Sequence, residues 1–209
     1  MSHRLTGLYA IIPSHVTDPQ QLAAMVEQAL RGGARLLQYR DKSQDHARRR
    51  ETAEHLRQLT YQHKALLIIN DDVDLALAAA ADGVHLGQDD ADLTRARQQL
   101  GAEAIIGISC YNHFELARDA VAQGADYIAF GRFFPSHTKP DAVQADLTLL
   151  QQAKSELGIP VTAIGGITPD NAAELIDAGA DMLAVVEAVF GQSDIQASAQ
   201  QFRELFPPS

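Results

Sequence analysis

The chain has 209 residues, 46% of them hydrophobic, which suits one domain with a substantial core. A formal net charge of -10 with few basic clusters argues against nucleic acid and anionic membranes as partners, because both demand a cationic face. The single cysteine, Cys110, cannot form an internal disulfide, and no apolar run approaches a bilayer span. Met1 to Arg4 lead into a short apolar strand and not into the long apolar stretch of a signal peptide, so a cytoplasmic location is expected.

Short apolar runs predict strands at Leu8 to Ile12, Leu36 to Tyr39, Leu66 to Ile69, Val84 to Leu86, Ile105 to Ile108, Tyr127 to Phe130, Val161 to Ile164 and Met182 to Val186. Segments with helical spacing lie between them. The first is the clearest, with Leu22, Met25, Val26, Ala29 and Leu30 on one face and Gln21, Glu27, Gln28 and Arg31 on the other. A weak repeat joins Gly33-Ala34-Arg35, Asp82-Gly83, Gly124-Ala125-Asp126 and Gly179-Ala180-Asp181 ahead of strands two, four, six and eight. In each copy the glycine is expected to end a helix in the left-handed conformation. Eight β/α steps of roughly 26 residues each predict an α/β, single-domain (β/α)8 TIM barrel spanning 1–209, with 1–6 and 206–209 as loose ends. The competing doubly wound sheet usually has fewer strands and often a glycine-rich first turn, whereas the first turn here is Pro13-Ser14-His15.

In a (β/α)8 barrel the loops after the strands carry the chemistry. After strand two, alternation places Gln38, Arg40 and Lys42 on one face, so an amide and two cations point into the mouth; a solvated strand end is the plain alternative. Strands three and four end in Asn70-Asp71-Asp72 and Gln88-Asp89-Asp90. If these strands are parallel neighbours, Asp71 and Asp90 converge as hard oxygen donors suited to Mg²⁺, with Arg40, Lys42 and Lys139 suited to a diphosphate. Asp72, Asp74 and Asp89 flank helix starts and read as caps. After strand six, Ser136, Thr138 and Lys139 lie in a proline-bounded loop able to wrap a phosphate. After strand seven, Gly165 and Gly166 precede Thr168-Pro169, a good helix start, where free backbone N–H groups suit a phosphate, with Val186 close by on strand eight. His85 sits within a strand and reads as a satisfied barrel histidine, and His15, His113 and His137 lack an evident orienting acid. Cys110 reads as a small filler.

Taken together, Gln38-Tyr39-Arg40-Asp41-Lys42, Ile69-Asn70-Asp71, His85-Leu86-Gly87-Gln88-Asp89-Asp90, Gly107-Ile108-Ser109, Phe134-Pro135-Ser136-His137-Thr138-Lys139 and Ala163-Ile164-Gly165-Gly166-Ile167 resemble the thiamine phosphate synthase family along almost the whole chain. The resemblance implies a transferase that joins hydroxymethylpyrimidine diphosphate to hydroxyethylthiazole phosphate. Diphosphate leaves first, and the thiazole nitrogen captures the resulting pyrimidine cation. Carried over, Arg40, Lys42, Asn70 and Lys139 hold the diphosphate and Asp71 and Asp90 hold Mg²⁺. Gln38 and Ser109 meet the pyrimidine, while Ser136, Thr138, Gly166 and Val186 bind the thiazole phosphate. Arg40, Lys42, Lys139 and Ser109 form the catalytic set, and a homodimer is suggested.

Three positions depart from the family pattern. Ser136 replaces the usual threonine and keeps a hydroxyl, Arg132 stands where proline is commoner, and Glu187 follows Val186 where serine or threonine is usual. A carboxylate beside a phosphate is unfavourable unless its side chain turns away. Two other readings stay open: a related barrel that tautomerises the thiazole phosphate with a histidine base, and a silent barrel that binds phosphates of the same pathway.

Overall fold

The computed structural model of the chain describes residues 5–88, 92–135 and 144–207. Strand β1 (Gly7–Ile11) is followed by α1 (Pro19–Arg31), β2 (Leu36–Tyr39), α2 (His46–Gln62), β3 (Leu66–Asn70), α3 (Val73–Ala78), β4 (Gly83–Leu86), α4 (Leu93–Leu100) and β5 (Ile105–Tyr111). The chain continues through α5 (Phe114–Ala122), β6 (Tyr127–Gly131), α6 (Leu147–Glu156), β7 (Val161–Ile164), α7 (Pro169–Asp177), β8 (Met182–Val185), α8 (Glu187–Phe190) and α9 (Ile195–Glu204). The strands close in sequence order, and β1 pairs in parallel with both β2 and β8. This is the single (β/α)8 barrel that the alternation predicts. No helix among the described residues is long and apolar enough to cross a membrane.

Strand alternation divides the apolar residues into two cores. One lies inside the ring, where Tyr9, Ile11, Leu36, Leu66, Ile68, Tyr127, Met182 and Ala184 meet. The larger one lies between strands and helices, and there α1 buries Leu22, Val26, Ala29 and Leu30, with Met25 packed partly against them. Helix α1 starts where it does because Asp18 accepts from the N–H of Gln20 and Pro19 needs no donor partner. The ends are anchored further out than the sequence implies. Leu5 is buried in the inner core and Phe206 packs on the outer one, although both fall in the stretches expected to be loose.

The repeat has a physical origin at the bottom of the barrel. Asp82, Asp126 and Asp181, each just before an even strand, accept from the N–H of Leu67, Ile106 and Val161 at 2.8, 2.8 and 3.0 Å. Each also pairs with a cation from the helix that precedes the neighbouring odd strand: Arg57 of α2 at 3.3 Å, Arg97 of α4 at 2.6 Å and Lys154 of α6 at 2.6 Å. One carboxylate thus ties two neighbouring strands to a helix. Gly33, Gly124 and Gly179 take the left-handed conformation expected of them, with φ of 104°, 91° and 114°. The second copy differs: Ala80, at φ 48°, makes that turn, and Gly83 lies within β4, where an added Cβ would strike the carbonyl of Ile105.

Replacing Asp126 by alanine leaves the buried N–H of Ile106 without its acceptor and Arg97 with carbonyl acceptors but no carboxylate. The expected cost is about 1–3 kcal/mol in urea unfolding, the usual price of an unsatisfied buried donor. A loss below about 0.5 kcal/mol, typical of a plain surface change, would show that the repeat is not a structural device.

Candidate functional site

Strand β2 ends at Tyr39, so alternation does not carry on to Lys42. Gln38 points into the barrel, Arg40 is half-buried at the strand end, and exposed Lys42 belongs to a loop shaped by Asp41. Asp41 accepts from the N–H of Ser43 at 2.7 Å, from the Tyr39 hydroxyl at 3.1 Å and from Arg48 at 3.1 Å. Burial alone would raise its pKa, but these donors outweigh it and hold the carboxyl below its ordinary value. Burial, with the nearby Asp41 charge second, pushes the Tyr39 phenol up to about 12.

The loop faces an open cavity of about 520 Å³, whose lining includes Asp41, Lys42, Arg49, Asn70, Asp71, Asp72, Asp74 and Arg95. Two of these carboxylates are committed to holding structure. Asp72 caps α3 through the N–H of Leu75 at 2.8 Å and pairs with Arg49 at 2.7 Å, and Asp41 is engaged as described. Asp71 stands at the tip of β3 in the left-handed region, φ 64°, a conformation that aspartate tolerates better than most residues. Its N–H donates to the carbonyl of His85 at 2.9 Å, and β3 and β4 are parallel neighbours, as convergence with Asp90 requires. Among the described residues the lining contains oxygen donors and cations but neither histidine nor cysteine, which suits a hard ion such as Mg²⁺. Among the described residues no three His, Cys, Asp or Glu side chains form a metal cluster on their own.

Deeper in the barrel a chain of polar side chains runs between strands. Gln38 Nε2 donates to the Tyr9 hydroxyl at 2.7 Å, which lies 2.9 Å from the Tyr127 hydroxyl. Tyr127 in turn lies 2.9 Å from His85 Nδ1, and His85 Nε2 lies 2.9 Å from Ser109 Oγ. His85 is therefore a satisfied barrel histidine, as its place in a strand suggests. Gln88, from the loop after β4, donates to the carbonyl of Ser109 at 2.6 Å and ties that loop to β5. Cys110 is buried, and burial pushes its thiol up to about 12, so it is a filler and not a nucleophile.

On the opposite side, the loops after β6 and β7 are laced together by Phe133 N–H to the carbonyl of Ile164 at 3.2 Å and Phe134 N–H to that of Gly165 at 3.1 Å. Gly165 and Gly166 have φ of 104° and 64°, and a Cβ on Gly166 would strike Pro135 and Phe134. Asn171 secures this turn, accepting from Thr168 N–H at 2.8 Å and donating to the carbonyl of Gly166 at 3.1 Å. Among the described residues the N–H groups of Gly165, Gly166 and Val186 donate to no protein acceptor, as an anion-binding turn requires. The carboxylate of Glu187 leans along α8 against Gly191, whose missing Cβ makes the room.

Asp89, Asp90, Ser136, His137, Thr138 and Lys139 lie outside the described residues. His15 and His113 are exposed loop residues. The sequence reading passed over Tyr9 and Tyr127, whose only signal was a phenol at an inward strand position, and over Arg49 and Arg95, which reach the cavity from α2 and α4.

A family model described as thiamine monophosphate synthase matches residues 8–189. The thiamine-phosphate synthase of Nitrosococcus oceani is 53% identical over 207 residues, covering 99% of this chain and 95% of its own. That of Thioalkalivibrio sulfidiphilus is 56% identical over 203 residues, 97% of this chain and 96% of its own. A solved thiamine phosphate pyrophosphorylase from Pyrococcus furiosus superposes with a TM-score of 0.86 at 37% identity, covering 97% of this chain and 95% of that one. With a matching family model and relatives more than half identical along nearly its full length, the chain belongs to the thiamine monophosphate synthase family of transferases.

Proposed function

We propose that the chain joins hydroxymethylpyrimidine diphosphate to hydroxyethylthiazole phosphate, releasing thiamine phosphate and diphosphate. The observation that carries this reading is the gathering of Gln38, Asn70, Asp71, Ser109, Gly166 and Val186 around one mouth of a barrel from this family. Arg40, Lys42, Asn70 and Lys139 bind the diphosphate, the two cations and Lys139 offsetting the negative charge that grows on it as its bond to the pyrimidine methylene breaks. Gln38 and Ser109 hold the pyrimidine ring. Ser136, Thr138 and the N–H groups of Gly166 and Val186 bind the thiazole phosphate and aim the thiazole nitrogen at the same carbon.

The oxygen donors at the cavity fit Mg²⁺, with Asp71 and Asp90 as its ligands. When bound, the ion adds positive charge beside the diphosphate oxygens. The carbon–oxygen bond breaks with its electron pair leaving on the diphosphate, and the nitrogen lone pair then forms the new carbon–nitrogen bond. That nitrogen carries no proton, so no general base is needed, in keeping with a His85 whose ring nitrogens both have protein partners.

Purified protein given both phosphorylated substrates should yield thiamine phosphate and diphosphate in equal amounts, and only with Mg²⁺ present. Absence of product from folded protein and verified substrates overturns the reading, and diphosphate-independent change in the thiazole phosphate points to tautomerisation instead. Asp90→Ala should lower kcat by about 100-fold or more with an unchanged melting temperature, as for loss of one strong electrostatic contributor. Near-normal turnover would remove Asp90 from the metal site. Glu187→Ser should leave the KM for the thiazole phosphate within about twofold, since its carboxylate already leans toward Gly191. A tenfold rise would give that carboxylate a role in the site.

A further inference from the structure

The buried chain Gln38–Tyr9–Tyr127–His85–Ser109 has a direction, and one atom sets it. Gln38 Nε2 can only donate, so the Tyr9 oxygen accepts from it. The Tyr9 hydrogen then has one described partner left, the Tyr127 oxygen. Tyr127 must pass its own hydrogen to His85 Nδ1, which is therefore the bare nitrogen of the ring. The proton of His85 sits on Nε2 and donates to Ser109 Oγ. Ser109 thus accepts within the protein and keeps its own hydrogen for something else.

The reverse order is costly. If Ser109 donated to Nε2 and Nδ1–H donated to Tyr127, the Tyr9 oxygen would receive two donors and its own hydrogen would point nowhere. Tyr9 is 1% exposed and Tyr127 0%, so that hydrogen would have no water to meet. Burial raises the pKa of both phenols, so each keeps its proton. The rings are also fixed in orientation: Tyr127 stacks on His85 at 5.6 Å between centroids and stands edge-on to Tyr9 at 6.0 Å. Tyr127 lies across Gly107, where any Cβ would overlap its ring. At the other end, the side-chain oxygen Oε1 of Gln38 accepts nothing among the described residues.

We propose that Tyr9, Tyr127 and His85 are positioning residues that transmit the donor sense of the Gln38 amide across the barrel, so that Gln38 presents an acceptor and Ser109 a donor to the substrate ring. Resting on the synthase reading, this makes the mouth complementary to an aminopyrimidine, which offers an amine donor and ring-nitrogen acceptors, and mismatched to its oxo counterpart, which reverses that pattern.

The test reads the tautomer of His85 directly, by long-range ¹⁵N–¹H correlation on the whole protein labelled in histidine, at pH 8, with His85 assigned from the signal lost in His85→Gln. The wild type should show Nε2–H. Gln38→Glu, which keeps the size but makes the first group an acceptor, should reverse the chain and move the proton to Nδ1, three side chains away. Nδ1–H in the wild type, or no change in Gln38→Glu, overturns the proposal. Tyr127→Phe should lower kcat/KM for the pyrimidine diphosphate about tenfold while the KM for the thiazole phosphate stays within about twofold, a split that a merely structural tyrosine would not give. Equal effects on both substrates overturn the positioning role. If Tyr127→Phe fails to fold, the Gln38→Glu tautomer decides alone. Nε2–H in a wild type that forms no thiamine phosphate would sink the synthase reading and leave the chain of bonds standing.

Discussion

A closed ring of eight parallel strands turns every second side chain into a space that water barely reaches, where a polar group needs a partner across the ring; Thr162 Oγ1, buried on β7, is left without one, and the larger polar side chains are paired. The rest of this molecule follows from how that demand is met. Tyr9 and Tyr127 fill volume that leucines could fill, but their hydroxyls have to be satisfied, and they are satisfied by each other, by Gln38 and by His85. Because the chain of bonds ends at Gln38 and Ser109, the packing of the core and the presentation of polar atoms at the mouth are one problem with one solution. A change that loosens the first disturbs the second.

Charge is distributed on the same principle. The protein is acidic overall, yet around the cavity Lys42, Arg49 and Arg95 face a set of aspartates that differ in how tightly they are held. Asp41 and Asp72 are fixed by backbone N–H groups and arginines and set the shape of their loops. Three cations set among four aspartates in the described lining give this anionic molecule a mouth where a polyanion meets positive partners.

Much of this was legible in the sequence because strands buried on both faces read as continuous apolar runs, and all eight fall within three residues of the observed ends. What failed did so for local reasons. The repeat was visible, but Gly83 drew attention from Ala80, since a left-handed alanine leaves no mark in a sequence. Alternation from Gln38 to Lys42 assumed a strand that continues, whereas Asp41 turns the chain by accepting from Ser43. Tyr9 and Tyr127 looked like core because aromatic residues in strands usually are core, and their hydroxyl partners come from strands far apart in the chain. Arg49 and Arg95 face the cavity only because α2 and α4 pack as they do, which no periodicity reports.

The aspartates beneath the barrel make its four two-step units unequal. Three carry the same staple, and the unit of β1 and β2 carries Arg35 in its place, of opposite charge. That unit is also where the first and last elements of the chain meet, β1 against β8 and α1 against α9, with Gly32 letting the backbone of Gln196 come close. The hoop therefore has three joints riveted by a carboxylate and a fourth, at its seam, closed by the pairing of β1 with β2 and β8 and by the packing of α1 on α9. Its stiffness is that of a ring whose joints are made in two different ways.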